Sequence, residues 1–137
     1  MTDKRLALYS QLFNEIGILS QLSRAMFEAR LEDGVLLPHF SVLNHLNRVG
    51  DGKTPLSLSR AFQVPKASMT HTLAGLKKAG YIEMLANEKD KRSKLIYITE
   101  AGREFREAAI RSFAPDVDEI AQKFSLEEVE ALVPTLQ

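Results

Sequence analysis

The side chains best suited to contact an anion lie in one charged run, NEKDKRSKLIYIT, at residues 87–99. Five of the six residues from position 89 to 94 are charged: Lys89, Asp90, Lys91, Arg92 and Lys94. The lysines supply a positive field, and arginine is the cation that a narrow DNA minor groove attracts. Asp90 could hold the Arg92 guanidinium in a fixed pose through a charged hydrogen bond. The plainer alternative is an aspartate that only forms a turn.

A second set of candidate contact residues lies in the segment PKASMTHTLAGLKKA, residues 65–79. At about 100° per residue, Met69, Leu73 and Leu76 share one side of a helix, which predicts that this side is buried. The opposite side and its flanks are small or polar, and they comprise Lys66, Ala67, Ser68, Thr70, His71, Ala74, Gly75 and Lys78. Such a surface is typical of a helix that enters a DNA major groove, although an ordinary solvated helix has the same pattern.

The residue types of this surface suit DNA contacts. Ser68, Thr70 and His71 offer hydrogen-bond donors and acceptors to base edges. Lys66 would reach a phosphate or a guanine, and the helix N-terminus itself favours a phosphate. The basic run that follows this helix favours the DNA interpretation, because its cations would lie where backbone or minor-groove contacts are useful.

Charge is divided unequally along the chain. The formal net charge of the 137 residues is zero. Between Lys53 and Ile98, however, nine basic residues stand against three acidic ones, a net charge of +6 that leaves −6 on the rest. A basic segment inside an acidic remainder can present one face to a polyanion.

The composition argues against an enzyme or a metal site. The chain has no cysteine, which excludes thiolate catalysis and thiol redox sensing. His39 and His45 are six residues apart, so they do not share a helix face and are more simply explained as surface or packing residues than as ligands. Ser68 and His71 would form an exposed pair with no third residue to orient them. We therefore expect no enzymatic activity, no cofactor and no metal.

The length is that of one compact domain. No apolar run is long enough to span a membrane, and the N-terminus MTDKRLALYS lacks the apolar core of a signal peptide. We therefore expect a cytoplasmic protein with no membrane partner.

Helical periodicity and capping signals predict the elements that position these residues. Apolar residues recur at helical spacing over residues 3–30, and a second helix covers about 38–50. A hydroxyl cap at Thr54 followed by proline opens a short helix over 55–62. After a tight turn, a fourth helix covers 65–79 and ends before a glycine.

A β-hairpin and further helices complete the predicted order. Two strand-like segments, residues 81–86 and 94–99, are joined by the charged run. Thr99 then caps a long helix that continues to Phe124 with a kink at Pro115.

This order predicts a winged helix-turn-helix: a mainly α fold with a small β-hairpin wing and flanking dimerisation helices. The final helix begins at a capping box formed by Ser125 and Glu128. The winged unit would cover residues 37–105. The flanking helices, residues 1–33 and 106–137, are amphipathic and too long to be covered by so small a unit, so we expect a homodimer.

The run from Leu37 to Phe105 resembles the MarR (multiple antibiotic resistance regulator) family of bacterial transcription factors. LPHFSVLNHL is similar to the helix that opens the family's winged domain, and PLSLSRAFQVPKASMTHTLAGLKKAGYIE to its helix-turn-helix. NEKDKRSKLIYIT resembles the wing, with Asp90 and Arg92 on the family's Asp-x-Arg, and TEAGREF resembles the entry to the next helix.

The resemblance implies a homodimer that binds pseudo-palindromic double-stranded DNA near its own promoter, as a repressor. It also implies a small aromatic or phenolic effector bound between the dimer helices and the winged domain, at residues that no motif identifies. Lys66, Ser68, Thr70 and His71 fall on positions that meet DNA through the recognition helix, and Arg92 on the wing-tip arginine. Together with the residues beside them, the predicted DNA-binding set is Lys66, Ala67, Ser68, Thr70, His71, Lys89, Asp90, Lys91, Arg92 and Lys94.

Two residues depart from the family's pattern. Gln63 stands where many members have glycine in the turn, and Pro65 replaces the usual hydroxyl cap. The geometry of the turn, and with it the base contacts, is therefore open to change.

The alternative function is a winged-helix protein-interaction module that does not bind DNA. Such a module would expose aromatic or aliphatic anchors on this surface, which instead is basic and made of small residues. Salt dependence separates the two functions, because only phosphate contacts weaken steeply as salt rises.

Overall fold

The computed structural model describes residues 2–137, and this range folds into seven helices and one antiparallel hairpin. The elements in chain order are α1 (Thr2–Arg30), α2 (Leu37–Val49), α3 (Pro55–Phe62), α4 (Lys66–Lys78), β1 (Ile82–Ala86), β2 (Lys94–Ile98), α5 (Glu100–Ser112), α6 (Ala114–Ala121) and α7 (Leu126–Leu136). The predicted mainly α winged helix-turn-helix with a small hairpin is confirmed.

The turn between α3 and α4 keeps a tight geometry although it lacks glycine. Thr54 caps α3 by accepting a hydrogen bond from the Ser57 N–H at 3.1 Å. Gln63 adopts the left-handed conformation, with φ 51° and ψ 44°, that glycine enters at least cost. The backbone N–H of Val64 then donates to the Ser59 carbonyl at 3.0 Å. The fold therefore accommodates the departure at Gln63 by straining one residue.

One apolar core holds α2, α3, α4 and the hairpin together. It consists of Val42, Leu43, Leu46, Leu58, Met69, Leu73, Leu76, Ile82, Ile96 and Ile98. The three core residues predicted for α4 are all buried, which fixes the rotation of that helix. The hairpin is anchored in the same core, because its strands pair from Ile82 opposite Ile98 to Ala86 opposite Lys94.

The segment TEAG joins the hairpin to α5 through close contacts. The Thr99 hydroxyl accepts from the Gly102 N–H at 3.1 Å and donates to the Gly80 carbonyl at 2.6 Å. A Cβ on Gly102 would collide with the Tyr81 carbonyl oxygen, so only glycine fits there. The start of α5 is thus packed directly on the base of the hairpin.

The predicted long helix with a kink at Pro115 is wrong in one respect: the helix ends and restarts. α5 stops at Ser112, and α6 begins at Ala114 after Phe113. Pro115 lies in the first turn of α6, where its missing N–H leaves no hydrogen bond unmade. A second proline, Pro134, lies inside α7.

The C-terminal part of α1 packs on α2 and on the residues around the start of α6. The Phe27 ring centroid lies 4.0 Å from that of Phe113 and 5.8 Å from that of Phe40. Arg30 donates two hydrogen bonds to the Asp116 carboxylate, at 3.0 and 3.2 Å. Residues 3–25 of α1 are exposed.

Many large apolar side chains of the flanking helices remain exposed. Those of α1 are Leu6, Leu8, Tyr9, Leu12, Phe13, Ile16, Ile18, Leu19 and Leu22. Those near the C-terminus are Val117, Ile120, Phe124, Leu126, Val129, Leu132, Val133 and Leu136. Within residues 2–137, no helix joins sufficient length to sufficient apolar character to cross a bilayer.

Candidate nucleic-acid interface

The outward side of α4 is set by its buried side. Met69, Leu73 and Leu76 point into the core, so the residues about 180° away face solvent. Those outward residues are Ala67, His71, Ala74 and Lys78. The two flanks of the helix differ from each other, and they divide the predicted contact residues between two places.

One flank of α4 faces the wing. Lys66 and Thr70 line a cleft of about 540 Å³ together with Asp90, Arg92 and Lys94 from the wing. Five of the predicted DNA-binding residues therefore lie around one opening, although they are as far apart in sequence as Lys66 and Lys94. Among the described residues that line the cleft, the cations Lys66, Arg92 and Lys94 outnumber the single carboxylate, that of Asp90.

The cleft has further walls that the sequence patterns did not identify. The start of α3 contributes Thr54, Pro55 and Leu56, and the wing contributes Asn87 and Ser93. The first three were recognised as a helix start, but only the packing of α3 on α4 shows that this start borders the cleft. A helix N-terminus with a basic neighbour is the signal that could have indicated it.

The other flank of α4 faces α2. Ser68 lines a separate cavity of about 240 Å³ between α1, α2 and the helix-turn-helix. Gly75 is exposed, yet a Cβ there would lie 2.8 Å from Nε2 of His39. Ser68 and Gly75 thus sit at the edge of the outward surface, beside α2, whereas His71 stands at its middle.

The N-terminal turn of α4 leaves hydrogen-bonding capacity for a ligand. Pro65 occupies the cap position without a side-chain hydrogen bond to the helix. The Thr70 hydroxyl donates to the Lys66 carbonyl at 2.9 Å, which leaves its oxygen lone pairs to accept from a base amino group.

Asp90 performs both roles that the sequence left open. Its Oδ1 accepts from the backbone N–H of Arg92 at 3.1 Å, which is a turn contact. The same oxygen accepts from Nε of Arg92 at 3.3 Å. The Arg92 side chain is 92% exposed, so its outer nitrogens face solvent from a partly fixed guanidinium.

Lys89 and Lys91 lie on the loop that joins the strands and do not line the cleft. Both are exposed. The backbone N–H of Lys89 donates to Oδ1 of Asn87 at 3.1 Å, which shapes the loop. These two lysines contribute positive field rather than a wall of the cleft.

The two histidines of α2 have packing roles. Nδ1 of His39 accepts from the Leu36 N–H at 2.9 Å. Burial lowers the pKa of His39, and the nearby His71 lowers it further. Burial also lowers the pKa of His45, whose ring centroid is 5.2 Å from that of Phe62. Among residues 2–137, no three His, Asp or Glu side chains are grouped closely enough to hold a metal ion.

A polar contact that sequence reasoning missed joins the hairpin to the end of α1. The Tyr81 hydroxyl donates to Oε1 of Glu32 at 2.6 Å, and its ring stacks on Phe105 at 4.5 Å between centroids. Burial, together with that carboxylate, raises the pKa of Tyr81 to about 12. The partners are 49 positions apart in the sequence, which explains why no local pattern shows the pair.

A model of the MarR family matches residues 33–93, which contain the whole helix-turn-helix and the charged wing loop. Over these residues the chain is similar to the MarR family. Two of the relatives named below are described as transcriptional proteins, and the structure of a third contains operator DNA.

One sequence relative is the transcriptional activatory protein BadR of Rhodopseudomonas palustris. It is 26% identical over 98 residues, which are 70% of this chain and 54% of that protein. The chain therefore spans about half the length of the curated relative it matches.

Solved structures share the fold. A cysteine-to-serine mutant of MarR from E. coli, in complex with operator DNA, has a TM-score of 0.75 at 24% identity, over 92% of this chain and 91% of that one. The transcriptional regulator BldR of Sulfolobus solfataricus has a TM-score of 0.78 at 22% identity, over 96% of each chain.

Proposed function

We propose that this protein is a DNA-binding transcriptional regulator of the MarR family in which α4 enters the major groove and the wing carries Arg92 to the adjacent minor groove. The observation that carries the proposal is the convergence of Lys66 and Thr70 on α4 with Arg92 and Lys94 on the wing around one cleft. A duplex is the partner that offers a groove to the helix and phosphates to the cations. The E. coli relative whose structure contains operator DNA supports the same partner.

Each predicted residue has a role that its position supports. His71 and Thr70 read base edges, and Ala67 provides an apolar contact for a thymine methyl group. Ser68 contacts the duplex at the α2 edge of the surface, and Lys66 contacts a phosphate or a guanine. Lys89, Lys91 and Lys94 contact phosphates, while Asp90 orients Arg92.

The protein acts as a homodimer. The exposed apolar side chains of α1, α6 and α7 support this proposal, because a second copy would cover them and place two recognition helices on one duplex. In this division, residues 37–105 read DNA, and residues 1–33 and 106–137 hold the two copies together. α5 continues from the first unit into the second.

The protein-interaction alternative is not favoured. The cleft and the outward side of α4 present cations, hydroxyls and small side chains, and Leu56 is the one exposed large aliphatic residue among those lining the cleft. Protein-binding hot spots are instead often built around large aromatic anchors, and none of the described residues that line this cleft is aromatic.

A small aromatic acid is the proposed effector, and the cavity beside Ser68 is its site. The lining is mostly apolar and includes Pro38, Phe62 and Met69. Arg24 is the cation in this lining, and it would pair with a carboxylate. Because Ser68 belongs to α4, an occupant contacts the recognition helix directly. Benzoate should weaken operator binding by the wild type and not by Arg24→Gln; equal weakening of both would rule this site out.

Repression in the cytoplasm is the proposed outcome of binding. A dimer that covers an operator excludes other proteins from the same DNA. The name of BadR describes an activator, so a promoter–reporter fusion decides the direction: deletion of the protein should raise reporter output, and a fall would show activation.

The proposed function is tested by selection and titration. Wild-type protein selects duplexes from a random library, and a recovered duplex is compared with a scrambled duplex of equal length at 50 and 200 mM salt, conditions between which a protein with several phosphate contacts loses roughly a thousandfold or more in affinity. We expect selective binding that weakens steeply as salt rises. Failure to enrich any duplex, or equal binding of both DNAs, would contradict the proposal.

A further inference from the structure

The loop between α2 and α3 adds a third edge to the wing. The Gly52 N–H donates to the Ile96 carbonyl at 2.9 Å, and the Ile96 N–H donates to the Lys53 carbonyl at 2.8 Å. Lys53 therefore pairs with Ile96 on the edge of β2 that β1 does not occupy. β2 is held on both sides at its buried middle.

Asp51 continues this edge with its side chain. The antiparallel pairing of Lys53 with Ile96 places residue 51 opposite Ile98, where a longer strand would offer a backbone carbonyl. The Asp51 carboxylate takes that place: its Oδ1 accepts from the Ile98 N–H at 2.8 Å. Its other oxygen, Oδ2, accepts from Nη2 of Arg103 on α5 at 3.3 Å.

One carboxylate thus joins three elements at the base of the wing: the loop before α3, the end of β2 and the first turn of α5. Glu100 also approaches Arg103, but at 4.0 Å, so Asp51 is its closer partner. The core supports the inner face of β2 through Ile96 and Ile98. Asp51 supports the edge, which decides the direction in which the hairpin projects.

We propose that Asp51 is a positioning residue for DNA binding, because it sets the direction of the wing and thereby the place where Arg92 meets the duplex. This inference rests on the proposed DNA-binding function. Asp51 is not in the cleft and is not offered as a DNA contact.

Arg92 lies far from the base of the wing, so a small change of direction at the base moves Arg92 appreciably. β2 extends from Lys94 to Ile98, about 13 Å, and Arg92 lies in the turn beyond it. A tilt of roughly 10° at the base would move the Lys94 end of β2 by about 2.3 Å, a shift comparable to the length of a hydrogen bond. A two-stranded hairpin does not hold its own direction in water, so its attachments at the base determine it.

The test is a double-mutant cycle on a duplex selected by the wild-type protein. Asp51→Ala removes both contacts, whereas Asp51→Asn keeps an oxygen that can accept from the Ile98 N–H. We expect Asp51→Ala to weaken binding about tenfold and Asp51→Asn about threefold or less. In an Arg92→Ala background, adding Asp51→Ala should weaken binding by less than about twofold, because the residue that it positions is gone.

Each other outcome overturns a different statement. If Asp51→Ala binds like the wild type, or loses the same factor with and without Arg92, it does not act through the wing. The second result also covers a variant that is partly unfolded, since unfolding lowers binding in both backgrounds. If the wild type selects no duplex, the proposed function fails. If the wild type binds its duplex and Arg92→Ala binds it with equal affinity, the role of the wing fails while DNA binding by α4 stands.

Discussion

The winged unit and the flanking helices place their apolar side chains in opposite ways. Every member of the apolar core cluster lies between Val42 and Ile98, whereas α6 and α7 bury no residue and α1 exposes nine large apolar side chains. The winged unit is complete within one chain. The flanking helices, in our proposal, become complete only when a second copy covers them.

The same difference separates the kinds of contact that each region makes. The surface of the winged unit that faces away from its core is basic and polar, as a duplex requires. The flanking helices expose many large aliphatic and aromatic side chains, as an association between proteins requires. In our proposal one chain therefore carries two surfaces for two partners, and substitutions can affect them separately.

The largest effect is expected inside the core. Leu73→Ala removes a side chain that is 1% exposed and should lower the free energy of unfolding by about 2–5 kcal/mol. Leu85→Ala, at a site 46% exposed, is the matched control and should cost well under half as much. Urea denaturation measures both, and equal costs would contradict the described core.

The next effect concerns the flanking helices. Phe13 is 69% exposed in one chain, and Phe13→Asp would put a carboxylate into the proposed dimer contact. We expect the dimer dissociation constant to rise by about 100-fold or more, measured by sedimentation equilibrium, with the helical circular dichroism of the winged unit retained. Asn14→Asp, on the polar side of α1, should leave it unchanged. A dimer that tolerates Phe13→Asp would show that this side of α1 is not the contact.

A smaller effect tests the turn of the winged unit. Gln63→Gly places glycine at φ 51°, where a side chain is strained, and should stabilise the protein by about 0.5–1 kcal/mol. DNA affinity should stay within about twofold, because the turn already has the geometry that glycine would adopt. A loss of stability in thermal denaturation would mean that the Gln63 side chain contributes a contact that outweighs its strain.

The smallest effect is the dependence of stability on pH. The pKa values of His39 and His45 are lowered in the folded protein, so folding disfavours their protonation. The two histidines therefore stabilise the folded protein fully above the ordinary histidine pKa of about 6.5. This stabilisation is lost as pH falls from there through their lower pKa values in the folded state. Urea denaturation at pH 7.5 and 5.5 should show this loss, and His39→Gln should reduce it. An unchanged pH dependence in that variant would show that His39 does not contribute.

The local features of the fold could be predicted from the sequence because local patterns determine them. The spacing of Met69, Leu73 and Leu76 predicted the buried side of α4, and Thr54 and Ser125 marked two helix starts that the structure contains. The role of Asp90 was predicted as two alternatives, since two residues of separation permit both bonds.

Features that depend on distant partners could not be predicted. The contact of Tyr81 with Glu32 and that of Asp51 with Ile98 each join residues more than 40 positions apart, and no periodicity signals them. The break at Phe113 was also missed, because a proline in a helical pattern is compatible with a kink or with a new helix start. The division of α4 into a wing flank and an α2 flank required the packing of three helices.

The most direct test of the account is one titration of the selected duplex with three proteins: the wild type, Arg92→Ala and Arg111→Ala. Arg111 is an exposed arginine on α5, paired with Glu107 at 3.7 Å and outside the cleft, so it matches Arg92 in charge. We expect Arg92→Ala to weaken binding by about 10–100-fold and to reduce the salt slope by about one, while Arg111→Ala stays within about twofold. Equal affinities of Arg92→Ala and the wild type would contradict the claim that the wing reads DNA.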